Sequence, residues 1–241
     1  MKKHDFIWDA DGVRPTSVTY EDLKFYKEHN MLAIRFGIES GSQKILDIME
    51  KKFTTEDVYN AISNCKKVGI YATHEGYLIG MPGETEETIK ESAAFTASLW
   101  YLMGYSWNTF YNPTWVIAIP GTPLYEYCQQ IGVIGETLDE EEAYLIRLCE
   151  EGLNSPILGY LNKTESSIKE VNYWLYLFHY VALKAYVDLI IKNNKSIRNR
   201  LSQIYEKCIK GALNGLIFDF NLRKKSYKNK QLLQKMKWLT L

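Results

Sequence analysis

The sequence predicts an α/β fold with parallel strands, followed by an α-helical C-terminal region. Two stretches lead to this prediction, because each runs from an apolar strand through a turn of small residues into a helix: residues 33–43 and residues 69–85. The segments between the predicted strands have helical patterns, and such crossovers connect parallel strands. The same rhythm fits part of a barrel or a doubly wound sheet, and in both folds the chemistry lies where strands end.

Periodicity and capping residues set the bounds of the elements predicted in the first 131 residues. Thr19 with Asp22, and Ser40 with Gln43, fit capping boxes at the starts of two helices, and Gly69 suits the C-cap of a third. We expect strands at 6–10, 32–38, 70–79 and 107–118, and helices at 20–30, 43–50, 55–68, 85–101 and 124–131.

The second half of the chain has a different character. Residues 132–165 are acidic and broken by Gly and Pro, which predicts a linker with a short helix near 140–148. Long helices are expected at 167–192 and 197–209. The predicted division is therefore a barrel-like part at 1–131, an acidic linker at 132–165 and a basic helical accessory region at 166–241.

The formal net charge of the whole chain is zero, but its two ends differ in sign. Residues 1–160 carry a net charge of −11 and residues 161–241 a net charge of +11. A basic tail of this kind docks near an acidic body, is simply solvated, or grips an anionic partner such as RNA or a lipid surface. The last possibility is the alternative function that the composition offers, that of a binding module.

The cysteines and the N-terminus indicate a compartment. The four cysteines, Cys65, Cys128, Cys149 and Cys208, lie far apart, so no zinc-site spacing is present. No apolar leader follows Met1, and the most apolar run, 173–191, contains three ionisable side chains, which argues against a membrane span. We therefore expect a cytoplasmic protein with free thiols and no transmembrane segment.

The stretch 69–85 contains most of the candidate ligand contacts. On one continuous strand, His74, Gly76, Leu78 and Gly80 would share a face and offer an apolar ledge, with bare backbone on either side, to a flat ring. Gly83 and Glu84 follow in the loop. Each has a plain structural alternative: glycines that only shape the turn, a histidine at the edge of the core, and an acid that starts a helix.

Glu39 is the strongest single candidate, because it ends the strand 32–38. A carboxylate at this position can accept a hydrogen bond from a ribose hydroxyl or an amine. Arg35 lies four residues earlier on the same strand, so the period of two places it on the face of Glu39. Arg35 is then either a site residue or the ion-pair partner of Glu39, and Glu39 itself could simply be an acid at a helix N-terminus.

Three motifs together resemble radical S-adenosylmethionine (SAM) enzymes. They are FGIESGSQKILDIMEKK, GYLIGMPGET and PGTPLY, in this order within residues 6–130. The resemblance is closest to the branch often associated with a cobalamin-binding domain, the anaerobic magnesium-protoporphyrin cyclase-like group. It implies an incomplete (β/α)6 partial barrel, about strands three to six, in which Glu39 and Ser40 contact the methionyl or ribose part of S-adenosylmethionine. The residues that match its adenine-lining element are Gly76, Leu78, Gly80, Gly83 and Glu84.

The chain departs from this family in two respects: it lacks the C-x-x-x-C-x-x-C motif, whose thiolates hold the family's [4Fe–4S] cluster, and the G-G-E-like segment that ends the family's second strand. We therefore expect the C-terminal portion of an Fe–S oxidoreductase or methyltransferase-like enzyme, as a fragment or one piece of a split protein, that alone neither ligates a cluster nor cleaves S-adenosylmethionine. The expected partners are the missing N-terminal half and a small-molecule, lipid or tetrapyrrole-like substrate rather than nucleic acid. Cobalamin would belong to a missing domain. No catalytic residue or metal ligand is assigned.

Overall fold

The computed structural model of the protein describes residues 6–104, 113–135, 137–150 and 161–193, without the side chains of 73–75, 147 and 150. Strands and helices alternate through the first half, so the predicted mixed α/β fold with parallel sheets is confirmed. The strands are β1 (Trp8–Val13), β2 (Met31–Gly37), β3 (Tyr71–Glu75), β4 (Leu78–Ile79) and β5 (Thr114–Trp115). The helices are α1 (Tyr20–Glu28), α2 (Gln43–Ile48), α3 (Thr55–Val68), α4 (Glu86–Met103), α5 (Pro123–Gln130), α6 (Leu138–Glu150) and α7 (Ile168–Asn193).

The first sheet consists of β1, β2 and β3 in sequence order, all parallel. The residues of its central strand alternate between buried and partly exposed, as expected for a sheet that is covered on one face. Ile34 and Phe36 are buried in one core with residues of α1 and α3. Arg35 and Gly37 point the other way and stay partly exposed. This second face carries the polar side chains of the candidate site.

The prediction of one continuous strand over 70–79 is wrong. The chain leaves the first sheet after β3, and β4 pairs instead with β5 in a separate two-stranded sheet. Gly76, between the two strands, has φ +62°, a conformation that breaks the extended backbone and that glycine adopts without steric cost. The common face predicted for His74, Gly76, Leu78 and Gly80 therefore does not exist. Of the strand predicted at 107–118, residues 107–112 lie outside the described residues.

Local capping signals decide most helix ends correctly. Thr19 with Asp22 and Thr54 with Asp57 form reciprocal capping boxes at the starts of α1 and α3. Gly69 ends α3 with φ +78°, as predicted. The box of Ser40 with Gln43 is wrong, because Ser42 is the N-cap of α2 and the Gln43 amide bonds Asp47.

Helix α7 packs along α4 and shares a core with β4 and β5. Trp100 of α4 and Trp174 of α7 are each 2% exposed there, and the rings of Tyr77 and Phe178 lie 5.1 Å apart. Among the described residues, α7 is the one helix long and apolar enough to cross a bilayer. The core helices of soluble proteins meet the same criteria of length and hydropathy. Helix α4 packs on the buried face of α7.

The acidic segment contains the predicted short helix, observed as α6. Tyr144 of α6 donates a hydrogen bond from its hydroxyl to the carbonyl oxygen of Ala118 at 2.7 Å, and Ile134 is buried beside it. The helix predicted at 197–209 and the rest of the basic tail lie outside the described residues.

Candidate functional site

The two small-residue turns predicted from the sequence meet in the structure. The backbone N–H of Leu78 donates a hydrogen bond to the carbonyl oxygen of Glu39 at 2.9 Å. This bond joins the turn that follows β2 to the start of β4, although the chain runs through α2, α3 and β3 between them. The candidate site is therefore the region around this junction.

Glu39 is the centre of a tight three-residue turn. The Ser40 N–H donates to the carbonyl oxygen of Ile38 at 2.8 Å, and Glu39 has φ +61°, a conformation that is strained for a residue other than glycine. A Cβ placed on Gly37 would lie 3.2 Å from Oε1 of Glu39. The carboxylate thus lies against the bare backbone of Gly37, at the carboxyl end of the sheet.

The charge of this carboxylate is balanced by Lys51. Nζ of Lys51 forms an ion pair with Oε2 of Glu39, and the two side chains are 27% and 22% exposed. Oε2 itself is buried, and Lys51 is the ion-pair partner described for it. It holds the Glu39 side chain by charge and leaves its direction to the backbone turn.

Lys51 could not be predicted from the sequence as a site residue, because a lysine in a polar segment carries no signal of its own. In the structure its backbone is strongly held. The Arg14 guanidinium donates to the Lys51 carbonyl oxygen, and both neighbours, Glu50 and Lys52, have φ +53°. Left-handed conformations at both neighbours of Lys51 cost conformational energy, so the contacts of this segment must compensate for that cost.

Arg35 forms ion pairs with Asp9 and Asp11 of β1, at 3.3 Å and 3.2 Å. The sequence suggested Glu39 as its partner, but the ion pair described for Glu39 is the one with Lys51. The reason is the positive φ of Glu39, which removes its side chain from the alternation of β2. Arg35 thus lies on the same face of the sheet as the site and is neutralised from the neighbouring strand.

Ser40 is buried and faces helix α4. Its hydroxyl lies 3.1 Å from that of Ser92, and it accepts a hydrogen bond from the Ser42 N–H at 3.2 Å. The Gly41 N–H donates to the Ser92 hydroxyl at 3.0 Å. Ser40 is 1% and Ser92 3% exposed. The described contacts of Ser40 therefore attach the turn to α4.

Glu84 closes the loop that follows β4. Its Oε2 accepts hydrogen bonds from the backbone N–H groups of Gly80 at 2.5 Å and Met81 at 3.2 Å. The side chain is 4% exposed, and this burial raises the pKa of Glu84 to about 7, against the lowering effect of the two hydrogen bonds. Glu84 thus gives the loop its shape.

Glycines on either side of the β4 strand leave space or allow close contact. A Cβ on Gly76 would meet nothing within 4 Å, whereas one on Gly83 would lie 2.7 Å from Cδ1 of Ile48 in α2. Leu78 is half-buried. The backbone of His74 pairs with Phe36 in the first sheet, but its side chain lies outside the described residues, so a role for it stays a prediction.

The three cysteines in the described residues do not form a cluster site. Cys65 and Cys128 are buried in two different cores and Cys149 is exposed, whereas Cys208 lies outside the described residues. Within the described ranges, no three His, Cys, Asp or Glu side chains are grouped so as to hold a metal ion. The thiols that the structure describes therefore do not fit a [4Fe–4S] cluster, which needs several thiolates at one point.

The first comparison concerns protein families. Residues 2–96 match the model of the radical SAM superfamily. This range contains β1 to β4 and most of α4, and so it includes both turns of the candidate site.

Similar proteins of known sequence differ in their named activities. The chain is 32% identical over 123 residues to an uncharacterized methyltransferase of Pyrococcus horikoshii, covering 51% of this chain and 25% of that protein. It is 28% identical over 129 residues to a tRNA-2-methylthio-N(6)-dimethylallyladenosine synthase of Ehrlichia ruminantium, covering 53% and 24%. It is 30% identical over 112 residues to the anaerobic magnesium-protoporphyrin IX monomethyl ester cyclase of Cereibacter sphaeroides, covering 44% and 16%. The matched part thus spans a quarter or less of each of these relatives.

Proposed function

We propose that this chain, whose residues 2–96 match the radical SAM superfamily, forms the adenine and ribose side of a site for S-adenosylmethionine. The observation that carries this proposal is the hydrogen bond from Leu78 to Glu39, which brings a carboxylate-bearing turn beside a glycine-rich strand. A nucleoside needs both: hydrogen-bond acceptors for its hydroxyls and a flat, open surface for its base.

Glu39 is proposed to accept hydrogen bonds from the ribose hydroxyls. Its carboxylate is partly exposed, faces the open backbone of Gly37 and is held by the ion pair with Lys51, and carboxylate oxygens are hydrogen-bond acceptors. Arg35, which lies in β2 four residues before Glu39, is proposed to line the same ribose-binding space.

The glycine-rich strand is proposed to line the adenine. Gly76 leaves open space on its side, and Leu78 presents a half-buried apolar side chain beside it. Gly80, Gly83 and Glu84 act in this proposal through the backbone, because Glu84 holds the loop at Gly80. Ser40 likewise acts by holding the turn, and His74 stays a proposed contact.

S-adenosylmethionine supplies a sulfonium whose reductive cleavage, in this superfamily, depends on a [4Fe–4S] cluster. The described cysteines do not fit that cluster, so no reaction step is assigned to residues of this chain. We propose that the cluster-binding side of the site comes from outside these 241 residues, as another chain or as more of the same protein, and that this chain alone is inactive. A cobalamin domain, as in the related branch, would be supplied in the same way.

We propose that β1, β2, β3 together with β4, and β5 correspond to about strands three to six of a partial (β/α)6 barrel and that 132–165 and 166–241 form the linker and the accessory region. A cytoplasmic location is proposed with them. The names of the relatives indicate different substrates. The proposed substrate is therefore a small molecule, a lipid or a tetrapyrrole.

The direct test is a titration of the full chain with S-adenosylhomocysteine, followed by the amide resonances in NMR spectra. The proposal predicts shifts at residues 37–41 and 76–80, with methionine alone producing none at 76–80. Glu39→Gln should weaken binding by about tenfold, the value of one hydrogen bond to a charged group. Unchanged spectra, or shifts confined to other parts of the chain, would refute the proposal.

A separate test addresses the cluster. After anaerobic incubation with iron and sulfide, we expect no broad visible absorption of a bound cluster and no 5′-deoxyadenosine. Appearance of both would show that the cysteines of this chain suffice and that the proposed external cluster side is wrong.

The alternative, a nucleic-acid or anionic-surface binding module, depends on the basic tail. The names of two relatives indicate different substrates, tRNA for one and a porphyrin for the other. A gel shift of the full chain with tRNA at low and high salt tests this alternative. No shift at low salt would remove it, because phosphate contacts are strongest there.

A further inference from the structure

The turn that presents Glu39 has two short-range bonds of its own, from the Ser40 N–H to the Ile38 carbonyl oxygen and from the Ser42 N–H to the Ser40 hydroxyl. The N-cap residue of α2, Ser42, makes no side-chain capping bond, and Glu39 has a left-handed backbone conformation. A strained conformation of this kind persists when the surroundings determine it. Groups from elsewhere in the chain must therefore support the turn as well.

Helix α4 supplies these groups through two side chains: Glu91 accepts a hydrogen bond from the Ser42 hydroxyl, and Ser92 bonds the residues next to Glu39. The Ser92 hydroxyl accepts the Gly41 N–H at 3.0 Å and lies 3.1 Å from the Ser40 hydroxyl. It thereby bonds both residues that follow Glu39. The atoms that join Ser92 to Gly41 and Ser40 are buried from water, so these bonds have no competitor and their loss would leave unpaired groups.

The turn packs so closely against α4 that there is no room for an added side-chain atom between them. A Cβ on Gly41 would lie 2.9 Å from the Cα of Ser92 and 2.8 Å from the Cβ of Phe95. These are atoms at or next to the backbone, which cannot move aside as the end of a flexible side chain can. The glycine thus brings the turn into direct contact with the helix at the level of Ser92.

The same helix begins at the other half of the candidate site. Helix α4 starts at Glu86, directly after the loop that Glu84 closes, and Ser92 lies less than two turns further on. A helix is rigid over this distance. Ser92 therefore links the position of the Glu39 turn to that of the Gly80–Glu84 loop, in addition to the direct backbone bond from Leu78 to Glu39.

We infer that Ser92 is a positioning residue that places Glu39 opposite the glycine-rich loop, so that one nucleoside can reach both. This inference rests on the proposed function and extends it to a residue that touches no ligand. Ser92 acts through the Gly41 N–H and the Ser40 hydroxyl.

The test uses the full chain and two probes, S-adenosylhomocysteine and free adenine, with binding followed by NMR. Ser92→Ala should weaken S-adenosylhomocysteine by about tenfold, the effect of losing one buried hydrogen bond, and should leave adenine binding unchanged because the loop is intact. Hydrogen exchange of the Gly41 amide should become faster by a similar factor. Ser92→Thr, which keeps the hydroxyl, should restore both.

The matched control is Ser98→Ala on the same helix, since the Ser98 hydroxyl donates only to the Phe95 carbonyl oxygen one turn back. It should change neither probe nor the Gly41 exchange. If Ser92→Ala does not fold, Ser92→Cys replaces the hydroxyl by a weak hydrogen-bonding group of similar size and should show the same losses.

The outcomes separate the two proposals. Wild-type affinity for S-adenosylhomocysteine in folded Ser92→Ala or Ser92→Cys would overturn the inference and leave the proposed function standing. Equal weakening of adenine would also overturn it, because a general loss of structure would then explain the effect. A wild-type chain that binds neither probe would overturn the proposed function and the inference together.

Discussion

Oε2 of Glu84 accepts a hydrogen bond from the Gly80 N–H at 2.5 Å, so the loop between them is closed by its own last side chain. The carboxylate is buried, and it forms a second bond to the Met81 N–H. An acid directly before a helix normally stabilises the helix N-terminus, whereas Glu84 uses its side chain to close the loop. The same bonds give the protein a titratable group in its interior.

We predict that Glu84 makes the stability of the protein depend on pH. Burial raises the pKa of Glu84 to about 7, from 4.5, so the folded state binds the proton more tightly than the unfolded chain. The free energy of unfolding should therefore fall as the pH rises from about 4.5 to 7, by about 3 kcal/mol from this group. Urea unfolding at several pH values measures this slope.

Glu84→Gln should remove that part of the slope, because an amide oxygen can still accept both backbone bonds but does not titrate. Glu87→Gln makes the same change of charge at an exposed position of α4 and should leave the slope in place. An unaltered slope in Glu84→Gln would contradict the assignment.

Gly41→Ala should destabilise the protein by packing alone. Its Cβ would lie within 2.9 Å of Ser92 Cα and Phe95 Cβ, and overpacking of this kind costs about 1–3 kcal/mol. Thermal unfolding measures the loss. Gly76→Ala is the comparison, since its Cβ meets nothing within 4 Å and only its φ of +62° is unfavourable. Equal stability of Gly41→Ala and the wild type would show that the turn can move away from α4.

Gly37→Ala should affect ligand binding more than stability. The new methyl group would lie 3.2 Å from Oε1 of Glu39, and a carboxylate at the end of a side chain can move by the few tenths of an ångström required. We expect a change in unfolding free energy below about 1 kcal/mol and weaker binding of S-adenosylhomocysteine. Calorimetry measures both. A variant that binds as the wild type does would place the ligand away from Glu39.

Lys51→Met should release the Glu39 carboxylate. Both side chains are roughly a quarter exposed, so water screens the ion pair and its loss should cost less than about 1 kcal/mol of stability. The affinity for S-adenosylhomocysteine should fall, because the carboxylate is no longer held. Lys90→Met breaks an ion pair with Glu86 on the surface of α4 and serves as the control. Equal affinities in both variants would exclude a role for Lys51.

Local sequence was sufficient wherever the deciding partners are close along the chain. Thr19 and Thr54 start their helices through side chains three residues away. Gly69 and Gly104 end helices through their own backbone conformation. The short helix in the acidic segment and the long helix α7 were also predicted near their observed bounds, since periodicity extends over each.

The sequence failed where a residue's conformation depends on distant contacts. The motif GIES predicts an acid at a strand end. It does not predict the positive φ of Glu39, which directs the side chain toward Lys51 instead of Arg35. Alternation along 70–79 predicts one face, but the pairing of β4 with β5 requires a break at Gly76. Ser40 fits a capping box by spacing, yet its hydroxyl lies beside that of Ser92.

By itself, the sequence determined the α/β class, the resemblance to radical SAM enzymes and the identity of the two turns, because motifs and short-range periodicity carry this information. Only the tertiary structure decided which side chains hold those turns. Gly41 and Ser92 are 51 residues apart in the chain and in hydrogen-bond contact in space. No periodicity extends over such a separation, so packing against α4 decides where Glu39 stands.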